Sequence, residues 1–170
     1  MKALVLYESL FGNTETVAHA VAEGLGTQFE VTVADVRTMP RAYGMDLIVV
    51  GGPTHAFGMS RPSTRQDAVR QGAPATESVD VGLREWLELS PQLTGIPAAT
   101  FDTRVDRPLV GSAAHKVHRR LRRLGCRMLV PAESFRVGGT PGPLADGEKE
   151  RAVRWGARVA AAAAAAAHPV

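Results

Sequence analysis

Short apolar runs alternate with amphipathic stretches along the whole chain. Ala3–Tyr7 is apolar throughout, and Asp46-Leu47-Ile48-Val49-Val50 is apolar after its first residue, so both read as strands buried on two faces. Phe29–Ala34 alternates apolar and polar, like a strand with one buried face. Pro97–Phe101 reads as a fourth strand, and Arg127–Val137 holds a fifth, kinked by Pro131. Helical spacing separates these runs. Thr14–Leu25 sets Val17, Val21 and Leu25 four apart on one face. Leu83, Trp86 and Leu87 mark a short helix. Ala114, Val117, Leu121 and Leu124 make another stripe, stopped by Gly125. Glu148–Ala167 is a final helix with Ala152, Trp155 and Val159 inward, and its alanine-rich end Ala160–Ala167 extends it.

Strands alternating with helices, with fully apolar central strands, predict an α/β fold: a three-layer αβα sandwich around a five-stranded parallel sheet. The chain has 170 residues and no internal repeat or linker, so residues 1–170 are expected to form one domain. In such a sheet, ligands bind beyond the carboxyl ends of the strands, where the strand order reverses. The loops after strands one, three and four are therefore the candidates for function.

Composition narrows the classes. A hydrophobic fraction of 45% and a charged fraction of 22% are those of an ordinary globular protein. No apolar run approaches the roughly 20 residues of a membrane span, and the opening run passes into a polar loop, so it reads as a strand and not a signal peptide. Cys126 is the single cysteine, which excludes an internal disulfide, suits a cytoplasmic location and reads as a buried structural thiol. The net charge of +3 is mild and aromatics make up only 5%, which weighs against nucleic-acid binding and against a strongly acidic docking surface. His115–Arg123 is the densest positive run. It reads first as a solvated helix face and second as a docking surface for an acidic partner. His115 and His118 lack a third ligand nearby in sequence, so no metal site is expected.

The loop Tyr7–Thr16 runs from a buried strand into a helix. The first amides of a helix lack partners within it and face whatever sits in the loop. Ser9 and Thr14 supply hydroxyls, Gly12 lets the backbone come close, and no lysine or arginine is present. The order of residues matches neither the P-loop nor the Gly-x-Gly-x-x-Gly fingerprint. An anion here would be held by several amides and hydroxyls, because the helix dipole alone supplies only ~0.3–1 kcal/mol.

Val5-Leu6-Tyr7-Glu8-Ser9-Leu10-Phe11-Gly12-Asn13-Thr14-Glu15-Thr16-Val17-Ala18 resembles the flavodoxin signature. That resemblance implies a sheet of order 2-1-3-4-5 and an FMN phosphate wrapped by Ser9, Leu10, Phe11, Gly12, Asn13, Thr14 and Glu15. It also implies that the loop after strand three, with Pro53, Thr54, His55, Phe57 and Gly58, covers one face of the flavin. Phe57 would stack on the ring, and the Gly58 peptide would turn to meet the flavin N5 hydrogen. The Gly52-Pro53-Thr54 opening is more similar to NAD(P)H:quinone oxidoreductases of the same fold. After strand four, Asp102 matches the acid at the flavin pyrimidine edge, next to Thr103 and Arg104. No aromatic follows before the helix. The second ring face would then be open, or covered by Val105 or Arg104. Without a ligand, Asp102 and Arg104 read as a surface ion pair.

The function implied is an FMN-binding electron carrier that serves a redox partner protein. An NAD(P)H- or quinone-dependent FMN reductase is the alternative, and a flavin-free binding domain of the same fold is a third.

Overall fold

A computed structural model describes residues 1–55, 57–74 and 79–167. Its strands are β1 (Lys2–Tyr7), β2 (Glu30–Asp35), β3 (Leu47–Pro53), β4 (Pro97–Val105), β5 (Arg127–Met128) and β6 (Glu133–Val137). Its helices are α1 (Asn13–Leu25), α2 (Pro62–Arg70), α3 (Leu83–Leu89), α4 (Ala113–Arg123) and α5 (Glu148–Ala167). All strand pairs are parallel, in the order β2-β1-β3-β4, with β5 and β6 both pairing with β4. The expected order 2-1-3-4-5 is therefore observed, with the fifth position built from two segments.

The period-two pattern sorts side chains into two cores. Ala3, Val5, Tyr7, Leu47, Val49, Ala99 and Phe101 face α1 and α5. Leu4, Leu6, Ile48, Val50 and Ala98 face α3 and α4. Phe101, Phe135 and Trp155 meet edge to face at 6.0–6.1 Å in the first core, a geometry that adds to their burial. Ala160 and Ala163 are buried there as well, so the alanine-rich end of α5 contributes to packing. On the other side, the Trp86 indole nitrogen donates to the carbonyl of Pro40 at 2.9 Å.

The structure departs from expectation in three places. β4 continues to Val105, which puts Asp102, Thr103 and Arg104 on the strand and not in the loop after it. The fifth strand is interrupted between Met128 and Glu133, around Pro131, which has no amide hydrogen for the ladder. α2 has no counterpart in the apolar pattern, because Ala68 is its one buried apolar residue.

Candidate functional site

The ends of β1, β3 and β4 are staggered: Tyr7 is level with Gly51, and Pro53 with Thr103, so each strand runs two residues past its neighbour. The Glu8 amide donates to the Gly51 carbonyl at 3.0 Å, and the Thr54 amide to the Thr103 carbonyl at 3.0 Å. After β1 the chain turns at Gly12, whose φ of 89° suits glycine, and enters α1 with no side-chain cap on its first amides. The Ser9 hydroxyl accepts the Gly12 amide at 3.1 Å. The buried Thr14 and Thr103 hydroxyls share a hydrogen bond of 2.8 Å, which ties the helix start to β4. Asn13 donates to the Pro141 carbonyl at 3.3 Å and brings the loop before α5 over the site. The Thr16 hydroxyl is engaged by the Gly12 carbonyl at 3.0 Å.

These loops enclose an open cavity of about 290 Å³. It brings together Ser9, Leu10, Phe11, Asn13, Thr14, Pro53, Thr54, His55, Thr103 and Arg104, all singled out in the sequence. Val105 lines it too. His55 Nε2 and Arg104 Nε are buried without a hydrogen-bond partner, though buried polar groups are normally paired. Burial first, and the Arg65 charge second, push the His55 imidazole below its usual pKa, so it is neutral at pH 7. Arg104 donates from Nη1 to the Gly111 carbonyl at 2.7 Å, while its Nε is buried without a partner.

Five expected residues do not line the cavity. Gly12 acts through its backbone turn. Glu15 is exposed and accepts the Tyr7 hydroxyl at 3.1 Å. Phe57 is 66% exposed and lies outside the cavity lining. Both backbone groups of Gly58 are bonded to His55, at 2.7 and 2.8 Å. Asp102 does not line the cavity, and it is not the surface ion pair expected of it. It lies on the α4 side of β4, fully buried, and its Oδ2 accepts from Thr54 Oγ1 (3.1 Å), Ser112 Oγ (2.6 Å) and the Ala114 amide (3.0 Å). It thereby helps cap α4. Two-residue alternation from Ala98 predicts that side.

Sequence reasoning missed two parts of the site. Thr64, Asp67, Ala68 and Gln71 on or just after α2 form one wall of the cavity. The available signal was Pro62 at the first helical position. The second is a buried charge network beneath the loop. Glu8 accepts from the Ser60 hydroxyl and from the Leu83 amide at 2.8 Å, and its carboxylate lies 3.4 Å from Arg65 Nε. Arg65 also pairs with Glu85 at 2.6 Å and donates to the Val79 carbonyl at 2.7 Å. The network joins the loop after β1 to the loop after β3, to α2 and to the start of α3.

Among the described residues no helix is long and apolar enough to cross a membrane, and no His, Cys, Asp and Glu cluster could hold a metal. The flavodoxin family model matches residues 5–82. Oxidised flavodoxin 1 from Bacillus cereus superposes with a TM-score of 0.68 at 20% identity, covering 94% of this chain and 97% of that one. The chain has the flavodoxin fold. A flavodoxin from the domain Archaea gives 0.68 at 19% identity, covering 96% and 99% of the two chains. A flavodoxin described as WrbA-like, from Agrobacterium tumefaciens, gives 0.63 at 19%, covering 96% and 97%. No curated protein matches the chain. In the flavodoxin fold the strand order reverses beside β1, and the cavity lies at the carboxyl ends of β1, β3 and β4 next to that reversal.

Proposed function

We propose that the chain binds FMN and carries electrons on it for a redox partner. Flavodoxins are FMN-binding electron carriers, and the match to their family model spans the loop after β1. The observation that carries the reading is the uncapped start of α1 beside a cavity whose His55 Nε2 and Arg104 Nε lack partners. The amides opening α1, with Ser9 and Thr14, would hold the phosphate. Thr54, His55, Thr103 and Arg104 would flank the rest of the ligand. Hydrogen bonds to a charged group are worth ~1.5–3 kcal/mol each, so four reach roughly 6–12 kcal/mol, against about 8 kcal/mol for a micromolar ligand. Phosphate contacts can thus supply most of a micromolar affinity, and the ring must supply the remainder of a tighter one. The bound flavin supplies the redox chemistry, and the protein positions it.

FMN titration, followed by quenching of flavin fluorescence, tests this. Saturable binding is expected, and Thr14→Val should raise the Kd by about 10–100-fold, the loss of one charged hydrogen bond. The same variant should leave riboflavin, which has no phosphate, unaffected. Absence of saturable FMN binding sinks the proposal, and an unchanged Kd removes Thr14 from the phosphate site.

One observation also favours a reductase. On the β4 side the cavity is lined by Thr103, Arg104 and Val105, with no aromatic to cover the ring. A hydride donor would have access there. Oxidation of NAD(P)H by the FMN-loaded protein with a quinone acceptor separates this reading from a passive carrier.

A further inference from the structure

Two turns meet beside the cavity. Phe57 bridges to Gly111, and a Cβ at Gly111 would lie 2.6 Å from the Phe57 carbonyl oxygen, so the two backbones are in contact. Each turn lifts a large apolar side chain into solvent: Phe57 is 66% exposed and Leu109 is 90% exposed. Both have left-handed backbones, with φ of 71° and 60°, a conformation unfavourable to such residues that persists only where the surroundings impose it. The strain holds two hydrophobic side chains outward, where folding gains nothing from them.

The segments that carry and flank these two turns are cationic. Lys116 lies alongside Gly58, where an added Cβ would come 2.6 Å from its Nζ. Arg61 and Arg107 stand in the two turns, and Arg119 follows Lys116 on α4. None of these four makes an ion pair among the described residues. Asp106 is the only acid in segments 55–61 and 106–112, and it is paired with Arg136 at 3.5 Å. An apolar centre inside a charged rim is the anatomy of a protein interface. A rim of one sign selects a partner of the other.

We propose that this face docks an acidic redox protein, with Phe57 and Leu109 as the apolar contact and Arg61, Arg107, Lys116 and Arg119 steering its carboxylates. The docking rests on surface chemistry alone. Electron transfer across it rests on the FMN reading. A nucleic acid fits less well, because Phe57 is the one Phe, Tyr or Trp in segments 55–61 and 106–112, too few for base stacking.

Calorimetric titration of the full chain tests the docking. An acidic [2Fe–2S] ferredoxin is the probe, with a basic cytochrome c and a short DNA duplex as comparators. Ferredoxin should bind best, and its affinity should fall about tenfold or more between roughly 20 and 200 mM salt, as the Debye length shrinks. The double variant Arg107→Glu/Lys116→Glu should weaken binding about tenfold or more, and Phe57→Ser/Leu109→Ser should weaken it with an unchanged salt slope. The double variant Arg122→Glu/Arg123→Glu makes the same charge change at the far end of α4 and should leave the affinity within about threefold. Equal loss in both charge variants would reduce the effect to net charge and overturn the proposal. So would tighter binding of cytochrome c or DNA, or no ferredoxin binding. FMN affinity is measured on the same samples: ferredoxin binding without FMN binding keeps the docking face and removes the electron-carrier reading.

Discussion

Replacing Asp102 with alanine tests how the site is held in place. The buried carboxylate accepts hydrogen bonds from the hydroxyls of Thr54 and Ser112 and from the Ala114 amide, all through Oδ2. Three bonds to a charged group give roughly 4.5–9 kcal/mol gross. Oδ1 has no partner, and desolvating a fully buried carboxylate takes back several kcal/mol of that gain. Breaking the arrangement from one side also leaves the buried Ala114 amide and two part-buried hydroxyls without this acceptor, so the net loss should be about 3 kcal/mol. With an m-value of ~2 kcal/mol per molar urea, the unfolding midpoint should drop by about 1.5 M. Asp102→Asn keeps an acceptor in place and should lose about half as much. A drop under ~0.3 M for alanine, or an asparagine variant as damaged as the alanine one, would refute the reasoning. Because Thr54 also accepts the Ala113 amide at 2.9 Å, both variants should disturb the cavity wall at Thr54 as well.

Three further outcomes are expected. Gly24→Ala should destabilise the protein even though it improves helix propensity by ~1 kcal/mol. The added Cβ would overlap the Val153 carbonyl oxygen and lie 2.7 Å from the Ala157 nitrogen, and overpacking costs about 1–3 kcal/mol or more, so a rise in the thermal midpoint would contradict the packing of α1 on α5. Cys126 should resist a thiol reagent at pH 8 in the native state and react on unfolding, since burial pushes its thiol up to about 11; rapid native labelling would mean the segment opens. Glu148 is held below the usual carboxylate range by its bonds to Arg151 and to the Arg136 amide, so its contribution to stability is present above the unfolded carboxylate pKa and is lost as pH falls through the folded one. Glu148→Gln should lower stability at pH 7 and flatten the acid side of a stability–pH curve, and a curve as steep as the parent's would exclude this role.

The sheet was legible because burial writes itself as period two: the side that each residue of β1 and β3 faces follows from its parity. α5 was legible over Glu148–Ala167 because its apolar stripe is continuous. What escaped was held by polar chemistry. β4 runs four residues past Phe101 because Asp102 has a helix end to satisfy and Thr103 has Thr14, and neither partner is near in sequence. α2 is anchored by Arg65, buried by its pairing with Glu8 and Glu85, so an apolar count sees almost nothing. The loop after β1 was legible as a local motif. The position of Phe57 was not, because it depends on how two turns from different strands meet.

The interrupted fifth strand also bears on self-association. An open parallel sheet leaves unpaired backbone donors and acceptors at its edges, and a long flat edge is a template for aggregation. Here that edge is a segment of two residues, Arg127–Met128, then a break around Pro131, then the five residues Glu133–Val137. A second chain approaching it meets two short runs that cannot be zipped as one, with Arg127, Glu133 and Arg136 along them. At Arg136 the edge groups are also already taken, the amide by Glu148 at 2.6 Å and the carbonyl by the Ala145 amide at 2.8 Å, so a neighbouring molecule finds little to pair with there.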